Sequence, residues 1–251
     1  MRALDRRVQA VLSIYRRELR SGAVVPAVHP ELDVAPLIDH TLLKPESRRL
    51  DIERLCREAK RYRFAAVCVN GAWVAFCARR LRGTGVKVAA VVGFPLGAGP
   101  TEAKAAETRG LVADGANEID VVVSIGHVLD GDWAYVGKDL RAVVKAAAGR
   151  PVKAILETAL LKPGQIVRSA LMSQAAGAAF VKTSTGFHPA GNASIQAVRL
   201  LRLAVGPSMG VKASGGIRDC ETVRKMIAAG ADRIGTSSGV KLVTCGAPAD
   251  R

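Results

Sequence analysis

"GVKASGGIRDCETVRKMIAAGADRIGTSS", residues 210–238, contains one complete strand–helix–strand unit, and that unit decides the fold. The runs "GVKASGG" and "DRIGTSS" read as short strands. Between them "ETVRKMIAAG" has helical periodicity and closes on the Gly expected just past a helix end. A strand, a helix and a second strand in this order call for a parallel pair joined by a right-handed crossover. Reading outward from this unit, six more strand candidates precede it: "PLIDHTLL", "AAVCVN", "KVAAVVGF", "NEIDVVVS", "VKAILET" and "AFVKTST". Helical segments such as "RRLDIERLCREAKRYR", "TEAKAAETRGLVADG" and "WAYVGKDLRAVVKAAAG" separate them. Eight units of about 30 residues predict an α/β fold, a closed (β/α)8 TIM barrel spanning residues 37–251, with a doubly wound open sheet as the alternative. Neither GxGxxG nor GxxxxGK[ST] occurs, which weakens a nucleotide-binding open sheet.

Residues 1–36 stand apart. Leu4, Val8, Leu12, Tyr15 and Leu19 recur every three or four positions with Arg on the other faces, which predicts an amphipathic helix followed by a Pro-bearing linker to Pro36. This extension is expected to pack on the end of the barrel or on a partner subunit. It has no secretory apolar core, although its Arg richness leaves a transit peptide as an alternative.

Composition narrows the function classes. With 49% apolar and 24% charged residues the chain can fill a large core, so disorder is excluded. No apolar run approaches the roughly 18 residues of a membrane span. Five cysteines, odd in number and without CxxC spacing, predict reduced thiols in a cytoplasmic setting. The formal charge of +15 would suit nucleic acid, but the cations are dispersed and aromatics make up only 4%, so a field that attracts a small anionic metabolite explains the charge better. His29, His40, His127 and His188 lack HxH or HExxH spacing, and no metal is expected.

Barrel active sites gather at the C-terminal ends of the strands. Near those ends stand Asp39, Asp120, Lys153 with Glu157, Lys182 with Ser184, and Lys212 with Ser214, each within an otherwise apolar segment. Alternation puts Phe180, Lys182 and Ser184 on one face, read as the inside. A buried ammonium is costly unless it is paired or neutralised. Lys153, Lys182 and Lys212 are about one unit apart, so they should converge from strands 5, 6 and 7. Crowded cations behind an apolar wall should depress the pKa of at least one amine. A lysine lowered by about 3 units becomes a common free amine at pH 7, able to attack a carbonyl and form an iminium that acidifies the neighbouring carbon. Asp120, deep in its strand, is the candidate acid/base, whereas Glu118 is expected at the strand start. Gly215, Gly216, Ser237 and Ser238 close the last two strands, where barrels often bind phosphate. Arg218 reads as a further contact or as a solvated helix start.

At these residues the sequence resembles the class I deoxyribose-phosphate aldolases. The similarity runs from about residue 37 to 243 through "IDHTLLKP", "VCVN", "GFPLG", "EAKAAET", "GANEIDVVVSIG", "GDW", "KAILET", "FVKTSTGF", "VKASGGIRD" and "RIGTSSG". It implies a metal-free, cofactor-free barrel that reversibly cleaves 2-deoxy-D-ribose 5-phosphate to D-glyceraldehyde 3-phosphate and acetaldehyde, in deoxyribonucleotide catabolism. It implies Lys182 as the Schiff-base lysine, Lys212 as the neighbour that lowers its pKa and shares in proton transfer, and Asp120 as the general acid/base. Gly186, Gly215, Gly216, Ser237 and Ser238 fall on its phosphate contacts, with Lys153, Asp39 and Thr185 as accessory candidates. A homo-oligomer, dimer or tetramer, is expected, with neither nucleic acid nor membrane as partner. Another lysine-dependent sugar-phosphate aldolase of the same barrel type and a basic non-enzymatic nucleic-acid-binding protein are the alternative readings. Ser124, the loop "FHPAGNAS" and the tail "TCGAPADR", which lacks a terminal Tyr, depart from the family pattern and bear on efficiency and substrate tolerance.

Overall fold

The computed structural model describes residues 2–21 and 32–245. Most of the expected linker (22–31, with His29) and the tail 246–251 lie outside the described residues. Eight parallel strands close in chain order: β1 (Ile38–Leu42), β2 (Ala66–Val69), β3 (Lys87–Val92), β4 (Glu118–Val122), β5 (Val152–Ile155), β6 (Phe180–Lys182), β7 (Gly210–Ser214) and β8 (Arg233–Thr236). The register pair Ile38↔Ile234 joins β1 to β8, which removes both sheet edges and excludes the open-sheet alternative.

An outer layer of helices follows the strands: α2 (Arg49–Arg61), α3 (Val74–Arg80), α4 (Thr101–Ala113), α5 (Ile125–Asp130), α6 (Trp133–Ala146), α7 (Pro163–Ala175), α8 (Ile195–Val205), α9 (Cys220–Ala228) and α10 (Gly239–Val243). The outward residues of the strands, among them Val67, Val88, Ile119, Val121, Val181 and Val211, pack with the helices into one continuous apolar core. The inward residues divide the barrel. On the β2–β3 side Ala66, Cys68, Ala89 and Val91 form a small separate apolar cluster. From β4 around to β1 the inward positions carry the ionisable residues instead.

The N-terminal helix α1 (Arg2–Arg20) lies against α7 and α8. Val8 and Leu12 are buried beneath it, and Leu4 and Tyr15 pack beside them. Arg199 on α8 donates to both oxygens of Glu18 at 2.6 and 2.8 Å, and Arg168 on α7 pairs with Asp5. Leu19, read as part of the apolar stripe, is instead 58% exposed.

The expectation of reduced thiols needs one correction. Cys56, Cys68 and Cys77 are free and buried, but Cys220 and Cys245 are joined by a disulfide. The fold brings the start of α9 beside the segment after α10, a proximity that linear spacing does not reveal.

Candidate active site

The strand register sets the depth of every ionisable group. Asp120 on β4 pairs with Lys153 on β5, Ile155 on β5 with Lys182 on β6, and Lys182 with Lys212 on β7. The three lysines therefore come from adjacent strands and all point inward, with relative exposures of 0%, 2% and 0% for Lys153, Lys182 and Lys212. Asp39 enters from β1 and is fully buried. The resulting network turns on Asp120. Its Oδ1 accepts from Lys153 Nζ at 2.8 Å, and its Oδ2 accepts from both Lys182 Nζ and Lys212 Nζ at 2.8 Å. Lys212 also pairs with Asp39, and Lys153 reaches Glu118 at 2.5 Å and Asp39 at 3.6 Å.

Charge compensation is uneven across the lysines. Lys212 is held by two carboxylates and Lys153 by three, whereas Lys182 has only the one Asp120 oxygen, shared with Lys212. Burial works against the Lys212 ammonium, but the attraction of Asp120 and Asp39 outweighs it and holds its pKa above the ordinary lysine value. Lys153 is raised in the same way, by Asp120 with help from Asp39 and Glu118. The anticipated downward shift thus falls on neither flanking amine; the carboxylates between them, left out of a count of cations, reverse its sign. Burial alone would raise the carboxyls, yet Lys153, Lys182 and Lys212 hold Asp120 well below the usual carboxylate range. Lys212, Lys153 and Arg233 do the same for Asp39.

Above this network, at the C-terminal end of the strands, opens a cavity of about 310 Å³. Lys182 lines it; Lys153, Lys212, Asp39 and Asp120 do not. Its rim carries Thr185, Gly186, Gly215, Gly216 and Ser237, with the cationic side chains of Lys44 and Arg218. Gly215 and Gly216 have φ of 94° and 73°, a region where other residues are strained, and a side chain on Gly216 would meet Asn192 at 2.9 Å. Ser238 does not line this cavity. Its N–H donates to Thr236 Oγ1 at 2.9 Å, and it borders the neighbouring depression beside His40 and Lys241.

Three contributors went unassigned in the sequence. Arg233, at the start of β8, donates from one nitrogen to Asp39 at 2.7 Å and to Glu118 at 3.2 Å. Glu118 does stand at the strand start as expected, but it turns inward and joins the network. Glu157, buried with φ of 54°, accepts the N–H of Thr185 at 3.2 Å and its hydroxyl at 2.5 Å, which fixes the loop carrying Gly186. The signal for Arg233 was an arginine heading an apolar strand that ends in hydroxyls. The histidines are dispersed: His40 bonds Glu58, His127 stacks on Tyr135, and His188 caps its own loop through Ala190 N–H. Among the described residues no group of three or more His, Cys, Asp or Glu is arranged to hold a metal.

The family model described as DeoC/LacD family aldolase matches residues 34–243. The deoxyribose-phosphate aldolase of Streptococcus mutans is 52% identical over 206 residues, covering 82% of this chain and 93% of that protein. Deoxyribose-phosphate aldolase 1 of Oceanobacillus iheyensis is 50% identical over 214 residues, 85% of this chain and 96% of that one. Among solved structures, the tetrameric deoxyribose phosphate aldolase of Aeropyrum pernix superposes with a TM-score of 0.78 at 38% identity, covering 84% of this chain and 89% of that one.

Proposed function

The chain belongs to the DeoC/LacD family of aldolases, and on that footing we propose that it is a deoxyribose-phosphate aldolase, a carbon–carbon lyase that reversibly cleaves 2-deoxy-D-ribose 5-phosphate to D-glyceraldehyde 3-phosphate and acetaldehyde through a Schiff base on Lys182. The observation that carries the assignment of Lys182 is that it is the one lysine of the buried network to reach the cavity, and the one with the least carboxylate to hold its proton.

As a neutral amine, Lys182 adds to the C1 aldehyde of the open-chain sugar, and loss of water gives an iminium. The iminium draws electrons from C2, so the C2–C3 bond breaks as the C3 hydroxyl gives up its proton. Glyceraldehyde 3-phosphate leaves; the enamine is protonated at carbon, and hydrolysis returns acetaldehyde and the amine. Proton traffic runs through Asp120 Oδ2, which lies 2.8 Å from both Lys182 Nζ and Lys212 Nζ and so bridges nucleophile and reservoir. Lys212, held as an ammonium by Asp39 and Asp120, keeps a second positive charge close to Lys182. Lys153 and Asp39 hold the bridging carboxylate and the reservoir in place. The iminium is itself the electron sink, so the scheme calls for neither metal nor cofactor.

Gly186, Gly215, Gly216 and Ser237 take the phosphate on backbone N–H groups and hydroxyl, with Arg218 and Lys44 supplying charge. Ser238 acts from the adjacent turn, and Thr185 acts through its bonds to Glu157. Residues 1–36 form an extension outside the catalytic barrel (37–251), supported by the family match beginning at residue 34. A homo-oligomer, a cytoplasmic location and a role in deoxyribonucleotide catabolism complete the reading. The tetramer of the Aeropyrum pernix relative supports the first, and the absence of any membrane-spanning helix among the described residues is compatible with the second.

The test is acetaldehyde release from 2-deoxyribose 5-phosphate, followed by a coupled alcohol dehydrogenase and unaffected by EDTA. Lys182→Met abolishes it on this reading. Turnover retained by that variant, or no release by the parent protein, contradicts it.

A further inference from the structure

Taken around the whole barrel, the buried ionic network holds four basic side chains, Lys153, Lys182, Lys212 and Arg233, against three carboxylates, Asp39, Glu118 and Asp120. Cys68, facing Lys212 from β2, adds no charge, because burial pushes its thiol up. The inward residues of β3, Ala89 and Val91, are apolar. If every base keeps its proton, this ion-paired network carries one positive charge more than its own carboxylates balance in a low-dielectric space, the buried Glu157 being bonded outside it to Thr185, and losing one proton restores the balance.

Arg233 cannot be the group that gives up its proton, since a guanidinium stays charged in proteins. Its position is also fixed. It closes the N-terminal end of the barrel, bonded to Asp39 Oδ1 at 2.7 Å and Glu118 Oε2 at 3.2 Å, and its guanidinium lies 5.5 Å from the centre of the Phe180 ring. Phe180 reaches that place because its register partner is Gly210, where a side chain would meet the ring at 2.2 Å. Arg233 thus takes up carboxylate charge that the lysines would otherwise share. Lys153 and Lys212 keep several carboxylates each, and Lys182 keeps one oxygen of one.

We propose that Arg233 is a positioning residue of the active site: by occupying Asp39 and Glu118 it supplies the surplus positive charge that leaves Lys182 as the neutral amine. The inference rests on the Schiff-base reading of Lys182. It assigns a mechanistic task to a residue at the end of the barrel opposite the substrate cavity.

The test follows the pH dependence of acetaldehyde trapping on Lys182 by cyanoborohydride, with the kcat/KM profile for 2-deoxyribose 5-phosphate alongside. In Arg233→Met the interior balances with every lysine protonated, so the acid limb of both profiles moves to higher pH by about one unit or more. Arg233→Lys retains the charge and keeps the limb near its parental position. Glu118→Gln enlarges the surplus and moves the limb to lower pH, a change of opposite sign that a loss of packing cannot produce. A folded Arg233→Met protein with an unshifted limb, or shifts of the same sign in Arg233→Met and Glu118→Gln, overturns the proposal. Failure of the parent protein to trap acetaldehyde at Lys182 instead overturns the functional reading beneath it.

Discussion

Lys182 owes its chemistry to unequal competition for carboxylate oxygen. Its Nζ lies 2.8 Å from Asp120 Oδ2, but so does the Nζ of Lys212, which has Asp39 as well. Asp120 is therefore the residue whose loss is felt most widely. Asp120→Asn leaves the Lys153 and Lys212 ammonium groups and the Lys182 amine without their common partner, which predicts a loss of about 3–5 kcal/mol of stability in denaturant unfolding. It also predicts a fall in kcat of about 10²–10⁴-fold from the lost proton path. Much of this site was legible in the sequence, because Lys182, Lys212, Lys153 and Asp120 each break an apolar strand and a charge there demands a reason. Arg233 and Glu118 were not legible as members. Each is the first residue of its strand, where a charged side chain ordinarily turns to solvent, and only barrel closure turns both inward.

At the level of elements, the helical and strand periodicities located the barrel, but the ends of β6 obeyed a different rule. The run "AFVKTST" forms a ladder only over Phe180–Lys182. Beyond it, Thr183 N–H still donates to Lys212 O at 3.1 Å, and its Oγ1 donates to Ser214 O and accepts from Ser214 N–H, both at 3.0 Å, so side-chain bonds supplement the backbone ones where the cavity opens. The helix "TEAKAAETRG" conceals another feature. Lys104 is buried and donates to Asp139 at 2.7 Å and to Val122 O at 3.1 Å, tying α4 to α6 and β4. Helix α1 was readable from its stripe, but the surface receiving it was not, because α7 and α8 lie more than a hundred residues away. Its contribution is local: Leu12→Ala is expected to cost about 2–3 kcal/mol in thermal or denaturant unfolding while leaving kcat and KM unchanged. Just past β5, Glu157→Gln weakens the bonds that hold Thr185 in the loop after β6 and is expected to raise KM for the phosphorylated substrate severalfold, with a smaller effect on kcat. Steady-state kinetics on 2-deoxyribose 5-phosphate separates the two parameters.

For the whole molecule, the same network that prepares the amine also couples folding to pH. Asp39 and Asp120 are held below the ordinary carboxylate value, so their contribution is present above about pH 4 and is lost as pH falls further. Lys153 and Lys212 are held above the ordinary lysine value, so theirs is present below about pH 10.4 and is lost as pH rises beyond it. Unfolding free energy measured across pH is expected to show a plateau between these limits, with steep losses outside them. The net charge of +15, set by residues spread over the surface, is expected to speed capture of an anionic substrate, and raising ionic strength should lower kcat/KM more than kcat. Both effects surround one claim, that a single buried amine becomes covalent with the substrate carbonyl. The direct measurement is to incubate the protein with acetaldehyde, reduce with borohydride, digest, and map the modified peptide by mass. One ethyl group on Lys182, absent in Lys182→Met, is the predicted result; modification confined to surface lysines, or no adduct at Lys182, contradicts the account.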